Sequence, residues 1–339
     1  MRVLAIPADE GGCGFYRVRE PCRVLKEDGV HIDIDSDGSL TSVHRNAEGR
    51  ITSIDPLDYD VVVIQMPSKQ DAVDAIPMLK AQGITVVAEF DDDYWAFERG
   101  HSMVHQEDEK AMMKCCGLAD LVTVSTPALG RKIANESGTP VRVLRNCIPK
   151  SYLTVDGQER PDDKLRLGWS GQPFTHPRDL EVVGDTVRNA VRKYDAQFIT
   201  IGHELAATIL GFEDKETLVQ GWTPLWLYPA ALRLMDVGIV PLRRNEFNES
   251  KSYLKGLEYA SLGIPFVASD SSEYKVLAGE GVGIIATSKQ GWYRGLNTLL
   301  SNEDRRNTMA AQGREFARTQ TYEANAWKWA EAWERAMNV

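Results

Sequence analysis

Twelve short apolar runs, nearly continuous and rich in β-branched residues, recur along the chain with helical spacing between them. VLAIP (3–7), HIDID (31–35), DVVVIQM (60–66), ITVVAEF (84–90), DLVTVS (120–125) and VRVL (141–144) fill the first half. LRLGWS (165–170), QFITIG (197–202), TLVQGW (217–222), DVGIVPL (236–242), PFVAS (265–269) and VGIIA (282–286) repeat the scheme in the second. Strands with one wet face alternate apolar and polar residues, whereas strands covered by helices on both faces do not. The pattern predicts an α/β chain of two doubly wound units, each built on a parallel sheet. A length of 339 residues suits two such cores better than one. Polar residues rich in Asp, Gly and Pro at 151–165 are the expected linker. The expected domains are 1–155, 156–318 and a C-terminal segment 319–339. That last segment sets Tyr322, Ala326, Trp329, Trp333 and Met337 on one helical face, which needs a docking surface.

Bulk properties narrow the class. Hydrophobic residues at 43% and charged residues at 26% mark a globular chain, and no run reaches the eighteen or so apolar residues of a membrane span. The N-terminal MRVLAIPADEGG reads as a strand and turn rather than a signal peptide. Five cysteines, with only Cys115 and Cys116 adjacent, form neither a disulfide framework nor a zinc pattern, so a cytoplasmic setting is expected. A net charge of −10 repels nucleic acid at long range.

Four segments carry candidate chemistry. GGCGFYR (11–17) follows the first strand and gives G-x-G-x-x-R through Gly12, Gly14 and Arg17. The third glycine of the dinucleotide fingerprint is missing, but Asp33 and Asp35 lie about twenty residues on, which keeps an NAD-binding reading open. A tight turn that merely needs small residues accounts for the glycines equally well. Either way, backbone N–H groups and Arg17 at a helix start suit an anion. EFDDDYW (89–95) puts Asp91, Asp92 and Asp93 at a strand's C-terminal end, where open α/β sheets bind ligands. They suit a base, a hydroxyl ligand or a helix cap; a metal site has less support, with no histidine at ligand spacing.

GWSGQPFTHPRDLEVV (168–183) approaches a nucleophile elbow, but Gln172 replaces its last glycine. Ser170 and Gly171 read instead as a small-residue turn against a phosphate. His176 reads as structural, ahead of a helix capped by Thr175 or Asp179. SKSYLKGLEYASLG (250–263) is the strongest segment. With Ser250 or Ser252 as cap, Lys251, Lys255 and Glu258 share one helical face at i, i+4 and i+7. Two ammonium groups at a helix N-terminus, which itself favours anions, suit a diphosphate, and Glu258 a ribose. A plain surface pair of Lys255 with Glu258 is the bland alternative.

In this order, and with ADLVTVSTPAL, VLRNCIP and DVGIVPL between them, these segments resemble the GT-B glycosyltransferases of family 4, the group 1 type. The resemblance spans nearly the whole chain. It implies two Rossmann-like domains facing across a cleft, with the nucleotide sugar held by the second, the acceptor by the first, and a final helix crossing back. The second Glu of the family's E-x7-E matches Glu258 and implies ribose binding. The first falls on Ser250, so that acid is absent, with Glu249 beside it. Backbone N–H groups of Ser252, Tyr253 and Leu254 would meet the diphosphate, with Lys251 as charge partner. Trp222 and Thr223 would lie nearest the nucleobase. Asp91 and Asp92 would orient a donor hydroxyl or the acceptor nucleophile. The implied function is retaining transfer of a sugar from a nucleoside-diphosphate sugar to an acceptor hydroxyl, with no cofactor and no metal. Glycan, lipid carrier, protein and modified nucleic-acid base all stay open as acceptors. The rivals are an NAD-dependent oxidoreductase and a non-catalytic nucleotide- or sugar-binding GT-B protein.

Overall fold

The computed structural model describes residues 1–97, 106–156, 162–174 and 178–338. All twelve apolar runs form strands, with ends that differ by at most two residues. The first half holds β1 (Arg2–Ile6), β2 (His31–Ile34), β3 (Val43–Arg45), β4 (Ile51–Ile54), β5 (Val61–Gln65), β6 (Thr85–Phe90), β7 (Leu121–Val124) and β8 (Val141–Val143). The second holds β9 (Arg166–Gly171), β10 (Gln197–Gly202), β11 (Thr217–Gly221), β12 (Val237–Val240), β13 (Phe266–Ser269) and β14 (Ile284–Ala286). Two six-stranded sheets result, in the orders β2-β1-β5-β6-β7-β8 and β11-β10-β9-β12-β13-β14, and every pairing within them is parallel.

The continuous apolar runs have a direct cause. In β10, Phe198 enters one core while Ile199 and Ile201 enter another; in β13, Val267 and the pair Phe266 and Ala268 divide the same way. Successive side chains point to opposite faces, so a strand buried on both faces needs an apolar residue at every position. Each such side chain fully buried contributes about 1.5–3 kcal/mol. The antiparallel hairpin β3–β4 left no such mark in the sequence. All three β3 residues are exposed, and the hairpin is held to the helix Gln70–Ala81 by the ion pairs Arg45–Asp71 (2.6 Å) and Arg50–Asp74 (2.5 Å).

The chain packs into two compact units: Met1–Cys147 with Ser250–Ser252 and Tyr322–Val339, and Ile148–Glu249 with Tyr253–Thr321. Within the stretch expected as linker, Tyr152 is buried in the second unit's core beside Ile148; residues 157–161 lie outside the described residues. The C-terminal face forms two helices rather than one, Tyr322–Asn325 and Trp327–Ala336. Tyr322, Ala326, Trp329 and Trp333 are buried in the first unit, whereas Met337 is exposed at the end. The Tyr322 hydroxyl donates to the Tyr16 carbonyl, and Glu323 pairs with Arg23 at 2.9 Å. Among the described residues no helix is long and apolar enough to cross a membrane.

Candidate functional site

In the first unit two amides of the glycine loop after β1 are taken by a side chain of the same turn. Asp9 Oδ1 accepts from the N–H groups of Gly11 and Gly14, both at 2.9 Å. Gly14 is required by space: a Cβ there would lie 2.0 Å from the Asp9 carbonyl oxygen. Gly12 is exposed, with nothing near its missing Cβ. An anion at this turn would meet the Asp9 carboxylate, which argues against the loop's expected role and against the glycine half of the NAD-binding reading. The signal was present in the sequence, since Asp9 precedes the first helical residues as a capping acid does.

Arg17 requires the same correction. It lies in a π-helical turn, Phe15–Arg19, that aims its side chain inward, where it is about 1% exposed. Nε donates to Glu89 Oε1 at 2.7 Å, and Nη1 donates to the Leu144 carbonyl (2.6 Å) and Asn146 Oδ1 (2.8 Å). The guanidinium also stands 5.6 Å from the centre of the Trp329 ring. Burial disfavours the charged guanidinium, and Glu89 more than offsets it. Burial likewise leaves the Glu89 carboxyl above its ordinary range, although Arg17 pulls it down and Thr123 donates to it. Arg17 is a core pin between β6, the 144–146 turn and the final helix, not a ligand for a donor.

The three aspartates after β6 divide three ways. Asp93 is fully buried and accepts from Lys132 Nζ at 2.8 and 3.0 Å; it precedes the short helix Tyr94–Ala96 without capping it, so its structural role is an ion pair and not the helix cap expected. Asp91 accepts from the Tyr94 hydroxyl at 2.6 Å. Its charge, foremost, pushes the Cys13 thiol well up, so that sulfur stays protonated. Asp92 accepts from Lys251 Nζ at 3.1 Å. Burial raises the Asp92 carboxyl, with Lys251 opposing and Asp91 adding to the rise.

Lys251 reaches Asp92 because its segment is held on the first unit. Thr126 Oγ1 donates to the Ser250 carbonyl (2.8 Å), Ser250 Oγ donates to Asp93 (3.4 Å) and Asn146 Nδ2 donates to Ser252 Oγ (2.8 Å). The helix expected to begin here starts later, at Leu254–Ser261, with Tyr253 at its N-cap position and no side-chain cap. Ser250 and Ser252 therefore do not cap it, and Lys251 precedes its first turn instead of sharing a face with Lys255 and Glu258. Tyr253 turns its ring into the core, and Leu254 packs against that core.

In the second unit Lys255 and Glu258 do come together. Glu258 is 5% exposed and Lys255 28%, with Nζ 4.0 Å from Glu258 Oε2, so the pair is no solvated surface bridge. Lys255 Nζ donates to Ser170 Oγ at 3.0 Å and to Tyr228 Oη at 3.4 Å. Tyr228 Oη donates to Glu258 Oε2 at 3.2 Å, and Ser170 Oγ lies 3.0 Å from Tyr228 Oη and 3.2 Å from Tyr259 Oη. Ser170 is thus a fully buried residue of β9 whose hydroxyl faces this cluster, not a turn residue against a phosphate. Gly171 ends the strand at φ +148°, in a region that suits glycine.

Thr223 Oγ1 donates to the Gly221 carbonyl at 3.0 Å, and its neighbour Trp222 is 70% exposed. Asp179 does not cap a helix; it accepts from the Arg243 N–H (2.9 Å) and Asn248 Nδ2 (2.8 Å). Thr175 and His176 lie outside the described residues. Nothing in the sequence marks Tyr228 and Tyr259, because each sits in an apolar helical stretch where a ring is expected and a hydroxyl function leaves no spacing.

No protein-family model matches the sequence, and no curated protein matches it. Solved structures do match over nearly full length. HepE from Anabaena, solved in complex with UDP, is 12% identical with a TM-score of 0.66, covering 99% of this chain and 100% of that one. Sucrose-phosphate synthase from Thermosynechococcus elongatus is 14% identical with a TM-score of 0.69, covering 100% of both. WaaG, a glycosyltransferase involved in lipopolysaccharide biosynthesis, is 12% identical with a TM-score of 0.63, covering 98% of this chain and 99% of that one. At these identities the likeness is one of architecture, and it agrees with the two six-stranded parallel units: the chain has the GT-B fold.

Proposed function

We propose that the protein transfers a sugar from a nucleoside-diphosphate sugar to an acceptor hydroxyl, with retention of configuration at the anomeric carbon. The observation that carries this reading is the Lys255–Glu258 pair, the acid nearly buried and the ammonium partly exposed, set on one face at the start of an uncapped helix beside the end of β9. A carboxylate so fixed suits the vicinal hydroxyls of a ribose, and the ammonium with the helix dipole suits a diphosphate. As the glycosidic bond breaks, negative charge gathers on the leaving diphosphate, and these groups stabilise it in place. The second unit is on this reading the donor side, with Trp222 and Thr223 beside the base. The first is the acceptor side, with Asp91 and Asp92 orienting the donor hydroxyls or the nucleophile, and Lys251 setting the charge around Asp92. UDP complexes of a fold neighbour support a nucleotide sugar as donor. Five free thiols, four of them buried, support a cytoplasmic setting.

The aspartates after β6 already have Lys132, Lys251 and the Tyr94 hydroxyl as partners, which argues for a reaction without a divalent metal. Incubation with a panel of nucleotide sugars should therefore release free nucleoside diphosphate slowly, at a rate that EDTA leaves unchanged. Release abolished by EDTA and restored by Mn²⁺ would overturn metal independence. A second reading has an observation of its own. Ser250, in the place of the family's acid, is buried against Asp93, and Glu249 accepts from the Ser272 hydroxyl, so the acid that the family sets there is missing and its neighbour already has a partner. This favours a protein that binds a nucleotide without turning it over. Binding of nucleoside diphosphates with no release from any nucleotide sugar would select it.

A further inference from the structure

The hydroxyl cluster under Lys255 admits one arrangement of protons. A carboxylate only accepts and an ammonium only donates, while each hydroxyl has a single proton to give. Tyr228 Oη lies within reach of Glu258 Oε2 (3.2 Å), so its proton goes to that charged acceptor. It must then accept from Ser170 at 3.0 Å and from Lys255 at 3.4 Å. With its own proton given to Tyr228, Ser170 accepts from Tyr259 (3.2 Å) and Lys255 (3.0 Å). The result is a directed chain, Tyr259 to Ser170 to Tyr228 to Glu258, into which Lys255 feeds twice. Each bond in such a chain polarises the next. The backbone is shaped for it: a Cβ on Gly238 of β12 would lie 2.6 Å from the Tyr259 ring, so only glycine lets that ring settle where its hydroxyl meets Ser170. Burial, and after it the charge of Glu258, push the Tyr228 phenol well up, which keeps its proton available to donate.

We infer that Tyr228 is a positioning residue for the nucleotide's ribose: by holding Oε2, it fixes the plane of the Glu258 carboxylate so that the group meets two neighbouring hydroxyls at once. This rests on the nucleotide-sugar reading above and adds to it the source of selectivity for ribose over deoxyribose. Tyr228 acts on this account through Glu258, to which its hydroxyl donates.

The test is calorimetry on the full chain, wild type and Tyr228→Phe, against UDP and GDP, their 2′-deoxy counterparts, and inorganic pyrophosphate. The wild type should prefer ribose about tenfold or more, the value of one hydrogen bond to a carboxylate. In Tyr228→Phe that preference should shrink to about threefold or less, with pyrophosphate affinity within about twofold of wild type. A general packing defect would instead weaken all ligands together, and that result overturns the inference. So does a Tyr228→Phe variant that keeps the full preference, while leaving the nucleotide reading intact. Wild-type protein that binds none of the five ligands sinks the reading and this inference with it. Should Tyr228→Phe not fold, Ser170→Ala breaks the same chain one link earlier and should also flatten the preference; an unchanged preference there overturns the inference equally.

Discussion

Lys255→Met is expected to weaken nucleoside-diphosphate binding by about 30- to 100-fold, the range for losing a charge-assisted contact to a phosphate group. Methionine keeps the length of the stem, so packing on the helix Leu254–Ser261 survives while the charge is lost. The effect should be sharper than that of Lys251→Ala, although sequence spacing had placed both ammonium groups on one face. Lys251 lies ahead of the helix with its Nζ 3.1 Å from Asp92, so its removal should spare affinity and act on turnover. Calorimetry on the two variants checks this. Equal losses of affinity, or an unaffected Lys255→Met, would return the diphosphate to some other cation.

Arg17→Leu is expected to cost about 3–5 kcal/mol of stability, because it leaves Glu89 buried without its countercharge. No comparable cost should follow from a surface arginine such as Arg45, whose pair with Asp71 is about half exposed. Changing both Arg17 and Glu89 to apolar residues should recover a large part of the loss, since the penalty lies in the orphaned charge rather than in the missing attraction. Urea unfolding of the three variants measures it. A single-variant loss under about 1 kcal/mol would mean that Arg17 is not the pin described.

What the sequence made legible follows the range of the interactions concerned. Both sheets could be read because a strand buried on two faces writes its burial into consecutive residues. The shared face of Lys255 and Glu258 could be read for the same reason, a local helical period. Arg17 could not, for its partners lie 72 and 129 residues away, at Glu89 and Asn146. Nothing in GGCGFYR says that the side chain at position 17 turns inward. The three aspartates carry identical local signals, and only distant partners, Lys132 for Asp93 and Lys251 for Asp92, separate their roles. The late start of the helix at Leu254 has the same origin. Four polar ties within the first unit hold residues 250–252 ahead of the helix, and local propensity does not foresee them. Where Gly12 and Gly14 suggest an anion site, Asp9, a capping acid two positions ahead of Gly11, is the better local clue.

The most direct test of the central claim is a structure of the protein with UDP and UDP-glucose at saturating concentration. The diphosphate should lie against Lys255 Nζ and the first turn of the helix Leu254–Ser261, with ribose hydroxyls on Glu258. An empty pocket there, or a nucleotide seated at the glycine turn after β1, would contradict the assignment of that helix as the donor site.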